Sequence, residues 1–171
     1  LGDASKKFAR AWGVDQLSQT IGLTIPEMLS AIEEDKLNAL WIMGENPVVS
    51  DPDANHVEAA FEKLDFLIVQ DIFLTPTAKL ADVVLPGTSF AEKDGTFVNT
   101  ERRITRVRKA VAPVGDSRPD WQIIRDISNA FGYAMAYENP EAVFDEIAGL
   151  TPSYGGVTYE RLEGDGLQWP C

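Results

Sequence analysis

Apolar positions come in short bursts divided by polar punctuation, and their period changes along the chain. Residues 3–13 repeat at helical spacing: Phe8 and Trp12 share a face at i, i+4, Asp3 or Ser5 can cap the start, and Gly13 suits a left-handed stop. Residues 14–23 lack a period and connect. Thr24 with Glu27 three residues later forms a capping-box pattern. The helix it opens carries Ile25, Met28, Leu29 and Ile32 on one side, and Glu33, Glu34 and Asp35 on another. Ala39–Met43 is a continuous apolar run and predicts a strand, closed by Gly44-Glu45-Asn46-Pro47. Asp51-Pro52-Asp53 caps a third helix with a Val57, Ala60, Phe61, Leu64 stripe. Phe66–Val69 predicts a second strand, apolar throughout and so covered on both faces, ending in Gln70-Asp71. Val83–Leu85, stopped by Pro86-Gly87, predicts a third buried strand.

Strands alternating with helices predict an α/β fold with a Rossmann-like, mainly parallel sheet flanked by helices. Residues 96–112 read as extended, with a basic cluster of Arg102, Arg103, Arg106, Arg108 and Lys109, a solvated face or a contact with another domain. A loop from Pro113 to Pro119 leads to a helix capped by Asp120, with Ile123, Ile124, Ile127, Ala130 and Phe131 as its stripe and Gly132 as its stop. Asn139-Pro140 opens a last helix with Val143, Phe144, Ile147 and Leu150 on its apolar side. The domain expected spans residues 1–150. The aperiodic tail 151–171, rich in Gly, Tyr and Trp, is expected to pack on domains outside this chain.

Composition narrows the class. In 171 residues, 44% are apolar, enough for a real core. Fifteen basic against 27 acidic residues give a net charge of −12, which disfavours nucleic acid and anionic membrane surfaces as partners. The single cysteine, Cys171, and the single histidine, His56, exclude a cysteine cluster and a histidine-rich metal site within the chain. No apolar run reaches membrane-spanning length; the first residue is Leu, and no signal peptide is expected within these residues. Cytoplasmic location is expected, with periplasmic export of a longer parent left open. Both ends read as cut from something longer.

The candidate chemistry sits at the strand ends: Gly44-Glu45-Asn46, Gln70-Asp71 and Gly87-Thr88-Ser89. In a parallel sheet these lie side by side, where open α/β sheets bind ligands. Backbone N–H groups and hydroxyls suit a diphosphate, and a carboxylate suits ribose hydroxyls or the N1–H and amino group of guanine. Neither a GxGxxG nor a Walker lysine motif is present, and no carboxylate pair is spaced as acid and base. Each residue also has a plain structural use. Asp120 is a natural helix cap, Asp71 a turn carboxylate, Lys93 a solvated loop lysine, and Glu45 and Asn46 can shape the turn at Pro47.

Thr75–Glu92, with its Ala81-Asp82-Val83-Val84-Leu85-Pro86 centre, closely resembles a signature of the prokaryotic molybdopterin oxidoreductases. Met43–Pro47, Gln70-Asp71, Glu92–Gly95, Asn99–Arg103 and Asp120-Trp121 resemble its flanking motifs in the same order. Gln168–Cys171 and the Tyr154–Tyr159 region are most similar to the formate dehydrogenase branch. The resemblance implies the third domain of a large catalytic subunit, carrying bis(molybdopterin guanine dinucleotide) with Mo or W. It implies cofactor contacts at Met43, Gly44, Glu45, Asn46, Gln70, Asp71, Thr88 and Lys93, and at Asp120, whose carboxylate would read guanine. The 4Fe-4S cysteines, the metal-ligating Cys or selenocysteine, and the catalytic His and Arg of that family have no counterpart here. The partners implied are the remaining domains of the same polypeptide and iron–sulfur or NAD-linked electron-transfer subunits. A pterin-free homologous domain of the complex I large iron–sulfur subunit is the alternative, with nitrate- and arsenite-type enzymes as further relatives.

Overall fold

A computed structural model describes residues 2–171, which group into two compact units. One unit comprises residues 23–93 and 109–134; the other comprises the described part of the first 22 residues, 94–108 and 135–171. The single domain expected over residues 1–150 is therefore shared between two units. The chain returns to the first unit after leaving it, a connectivity that local hydrophobic periodicity does not encode.

The first unit is built on three parallel strands in the order β1 (Ala39–Met43), β2 (Phe66–Asp71), β3 (Val83–Pro86). Register pairs Met43 with Gln70 and Asp71 with Pro86, so all three C-terminal ends meet at one rim. Helix α2 (Ile25–Glu33) begins with the Thr24–Glu27 capping box and buries Leu29 and Ile32. The short helix α3 (Pro47–Ser50) occupies the expected turn. Helix α4 (Ala54–Phe61) is capped by the Asp53 side chain, which accepts from the His56 N–H at 3.1 Å. Val57, Ala60, Phe61, Leu67 and Val69 form its core with Leu29 and Ile32. Each large side chain buried there contributes about 1.5–3 kcal/mol before ordering costs.

Two expectations about this sheet need correction. β3 is not buried: it is an edge strand, with Val83 37% and Val84 38% exposed. β2 is covered unevenly: Leu67 and Val69 are buried on one face, while the other runs from Phe66, 43% exposed, through half-buried Ile68 to buried Gln70. The connection between β2 and β3 carries one 3-10 turn, Ala78–Leu80. Apolarity alone does not report how many strands and helices flank a strand.

The second unit contains helix α1 (Gly2–Ala11), where Phe8 and Trp12 stack edge to face at 5.2 Å, as their spacing predicts. The extended 96–112 segment is largely a hairpin of β4 (Gly95–Val98) and β5 (Arg103–Val107), with the short β6 (Leu167–Gln168) on the other side of β5. This sheet is antiparallel, so the chain is mixed α/β rather than mainly parallel. Helix α6 (Pro140–Leu150) is capped by Asn139, which accepts from the Ala142 N–H at 2.9 Å. The tail supplies Val157, Tyr159 and Leu162 to a core with Ile104 and Phe144. Gly166 lies so close to β5 that a Cβ would stand 2.2 Å from the Ile104 carbonyl oxygen.

Candidate nucleotide site at the strand ends

Helix α5 (Asp120–Ala130) returns to the first unit after a loop and begins beside the strand rim. Its start differs from the sequence expectation. Pro119 holds the N-cap position and Asp120 is the first helical residue, with no side-chain cap bond. The carboxylate is thereby released from capping and turns to two other residues. Gln70 Nε2 donates to Asp120 Oδ1 at 2.8 Å, and Lys93 Nζ pairs with Oδ2 at 2.6 Å. Three residues far apart in sequence thus form one constellation at the ends of β2 and β3. The carboxylate also retains the favourable position at a helix N-terminus.

Gln70 is only 1% exposed, and its Oε1 has no hydrogen-bond partner among the described residues. Thr88, equally buried, also has an unpartnered hydroxyl. Buried polar atoms are rarely left unpaired without a use, since each costs about 1–3 kcal/mol. Gly87 sits tightly between these groups: a Cβ there would lie 3.1 Å from Asp120 Oδ1. Its N–H donates to the Asp71 carbonyl at 3.0 Å, so the turn after β3 is fixed to the end of β2.

The other predicted residues divide into backbone shapers and accessible rim. Gly44 takes φ +64° and donates its N–H to the Gln70 carbonyl at 2.8 Å, closing β1 onto β2. The Glu45 carboxylate accepts from Ser50 Oγ at 2.6 Å. Asn46 Oδ1 accepts from the Thr77 hydroxyl at 2.7 Å and its N–H at 3.3 Å. Asp71 Oδ1 accepts from the Ile72 N–H at 2.6 Å and the Phe73 N–H at 3.3 Å, an Asx-type turn. Met43 is exposed. Glu45, Asn46 and Asp71 thus do the turn-shaping that their types allow, while Gln70, Lys93 and Asp120 converge.

A cleft of about 650 Å³ opens beside this rim, lined by Ile72, Phe73, Gly87, Ser89, Val111 and Val114 among others. Ser89 and Ser117 bring hydroxyls to largely apolar walls, and Gln70, Lys93 and Asp120 are not among the lining residues. Glu92, not among the predicted contacts, is buried against this cleft. It accepts from the Ser89 N–H at 2.8 Å through Oε2 and from the Val114 N–H at 2.8 Å through Oε1. The Ser89 hydroxyl and N–H, with the Val114 N–H, hold its carboxyl below the usual glutamate range. The Ser89–Glu92 spacing is itself a capping box and was the available signal.

The remaining candidates have ordinary uses. In the second unit, Arg106 lies 3.7 Å over the Tyr159 ring, Arg102 lies 5.4 Å from the Trp169 ring, Arg103 pairs with Glu101 at 2.9 Å and Arg108 pairs with Glu163. These arginines are taken up by aromatic faces and carboxylates of their own unit. His56 pairs with Glu33 at 3.0 Å on the surface, and Cys171 is exposed. Among the described residues, no group of three or more His, Cys, Asp or Glu side chains is placed to hold a metal ion, and no helix is long and apolar enough to cross a membrane.

Comparison with known proteins gives four matches. A family profile described as Molybdopterin oxidoreductase matches residues 4–130. The chain is 54% identical over 171 residues to the F420-dependent formate dehydrogenase subunit alpha of Methanocaldococcus jannaschii, covering 99% of this chain and 25% of that protein. It is 50% identical over 173 residues to the F420-dependent formate dehydrogenase 2 subunit alpha of Methanococcus maripaludis, covering 100% of this chain and 25% of that protein. Among solved structures, acetylene hydratase from Pelobacter acetylenicus aligns with a TM-score of 0.70 at 19% identity, over 98% of this chain and 24% of that one, a likeness of fold alone. The chain thus spans about a quarter of the length of these two relatives.

Proposed function

Because the chain belongs to the molybdopterin oxidoreductase family, we propose that it is the third domain of a formate dehydrogenase catalytic subunit and holds the guanosine diphosphate end of bis(molybdopterin guanine dinucleotide). The observation that carries this reading is the Gln70–Asp120–Lys93 constellation beside two unpartnered buried oxygens, Gln70 Oε1 and Thr88 Oγ1. These residues fit the group. Asp120 accepts from the N1–H and amino group of guanine with Lys93 paired beside it, while the Thr88 and Ser89 hydroxyls face the diphosphate. Gln70 keeps the carboxylate oriented through Oδ1, and the apolar cleft walls exclude water from the base. Met43, Gly44, Glu45, Asn46 and Asp71 hold the rim in shape around it. The bound group would supply a Mo or W centre that accepts the two electrons released when formate becomes carbon dioxide and a proton. This chain's share is binding and orientation.

On this reading residues 1–150 carry the cofactor-binding role, and the 151–171 tail presents its exposed residues to the remaining domains. The parent polypeptide supplies the metal ligand and a 4Fe-4S cluster. Its electrons pass to iron–sulfur subunits and on to NAD or F420, the latter suggested by the relatives' names. The pterin-free complex I alternative is set aside. Identities of 50% and above to formate dehydrogenase subunits favour the enzyme, as does the retention of the three converging side chains.

The test is calorimetric titration of the full-length protein carrying this chain, purified from a host that makes no pterin, with GDP and with ADP. Guanine-selective binding is expected. Asp120→Asn should lower GDP affinity roughly tenfold or more and erase the preference, since an amide cannot accept both guanine donors. Equal binding of GDP and ADP to the unsubstituted protein would overturn the reading.

A further inference from the structure

The loop that delivers Asp120 to the rim is tied down along its length. At its start, the Ala110 and Val111 N–H groups both donate to the Ala91 carbonyl, at 2.8 and 3.0 Å. At its end, the Arg118 N–H donates to the Pro86 carbonyl at 3.0 Å, two residues before Asp120. Between these points one side chain reaches across: the Glu92 carboxylate, which takes the Val114 N–H with one oxygen and the Ser89 N–H with the other. Glu92 is 9% exposed and has no cationic partner among the hydrogen bonds and ion pairs it makes. Its charge is balanced by hydroxyl and backbone donors, an arrangement that fixes geometry because each donor must point at it. Both residues it joins line the cleft, Ser89 on the β3 side and Val114 on the loop side.

We infer that Glu92 is the positioning residue of the nucleotide cleft: its carboxylate clamps the 110–118 loop to the end of β3 and so sets the cleft width. This rests on the cofactor-binding reading above and extends it to a residue that need not touch the ligand. Without the clamp the loop remains tied at Ala110, Val111 and Arg118, so the fold survives while the cleft loses its preformed shape. Glu92 therefore acts on affinity, through preorganisation. Asp120 acts on the choice of base.

The experiment uses the same full-length, pterin-free protein with Glu92→Ala and Glu92→Gln. Amide hydrogen exchange of the 110–118 peptide, melting temperature, and GDP and ADP affinities are measured well below each variant's melting point. Glu92→Ala is expected to accelerate exchange in 110–118 and to weaken GDP about tenfold, the scale of one lost charge-assisted hydrogen bond, while keeping the GDP-over-ADP ratio. Glu92→Gln should fall between, because its single amide oxygen still accepts one of the two N–H groups. Unchanged GDP affinity in folded Glu92→Ala, or unchanged exchange in the loop, would overturn the proposal. If the unsubstituted protein shows no guanine preference, the cofactor reading itself has failed, and the exchange comparison still upholds or overturns the clamp.

Discussion

At the residue scale, one backbone detail decides what Asp120 can do. A carboxylate at N-cap is consumed by the helix's own N–H groups, whereas at the first helical position it faces outward. Pro119 occupies the cap, and Asp120 is left for Gln70 and Lys93. Glu92 is the neighbouring case, a carboxyl held low by Ser89 and then by the Val114 N–H. Because folding favours its ionised form, its contribution is fully present above the unfolded value, about 4.3, and is lost as pH falls through the lower folded value. Melting temperature against pH should therefore show Glu92→Gln below the unsubstituted protein at neutral pH, with the gap narrowing below about pH 4. Gly166 has no such latitude. With φ +76° and the Ile104 carbonyl 2.2 Å from any Cβ, Gly166→Ala should cost roughly 3 kcal/mol or more in urea unfolding.

At the element scale, the strand rim works because three parallel strands end together and each passes into a turn with a different duty. Gly44 closes the first onto the second, the Asx turn at Asp71 directs the chain away, and Gly87 permits the close approach of Asp120. The buried members of the two cores hold these ends in place. Leu67→Ala in β2 and Ile104→Ala in β5 each remove a side chain at most 1% exposed. Each should destabilise by about 2–5 kcal/mol in chemical denaturation. Only Leu67→Ala should also weaken GDP, because β2 carries Gln70 on the same strand. Equal loss of GDP affinity in both would break the assignment of the site to β1–β3.

At the scale of the whole molecule, a net charge of −12 fits a chain whose proposed anionic ligand is met by a few specific donors and no broad basic surface. The helices, the three parallel strands and the crowding of polar residues at their ends were legible in the chain, because periodicity, capping pairs and turn residues act within a few positions. The Thr75–Glu92 stretch alone pointed to the family that residues 4–130 match. Other features depended on partners distant in sequence. Val83 and Val84 are as apolar as any core strand, yet β3 is an edge, because exposure is set by what lies beside a strand. The β4–β5 hairpin lacked a tight-turn signature and was visible only as extended chain. The tail's Val157, Tyr159 and Leu162 have no period, and only the tertiary structure gave them Ile104 and Phe144 to pack on. Gln70, Lys93 and Asp120 could each be named from sequence, but their meeting was not, since residues 50 and 27 positions apart are joined by the fold. The sequence determined the elements and the chemical groups at their ends, through short-range sterics and hydrogen bonding. Tertiary structure decided which groups converge and which faces stay open, because convergence and burial belong to packing between segments that no local pattern records.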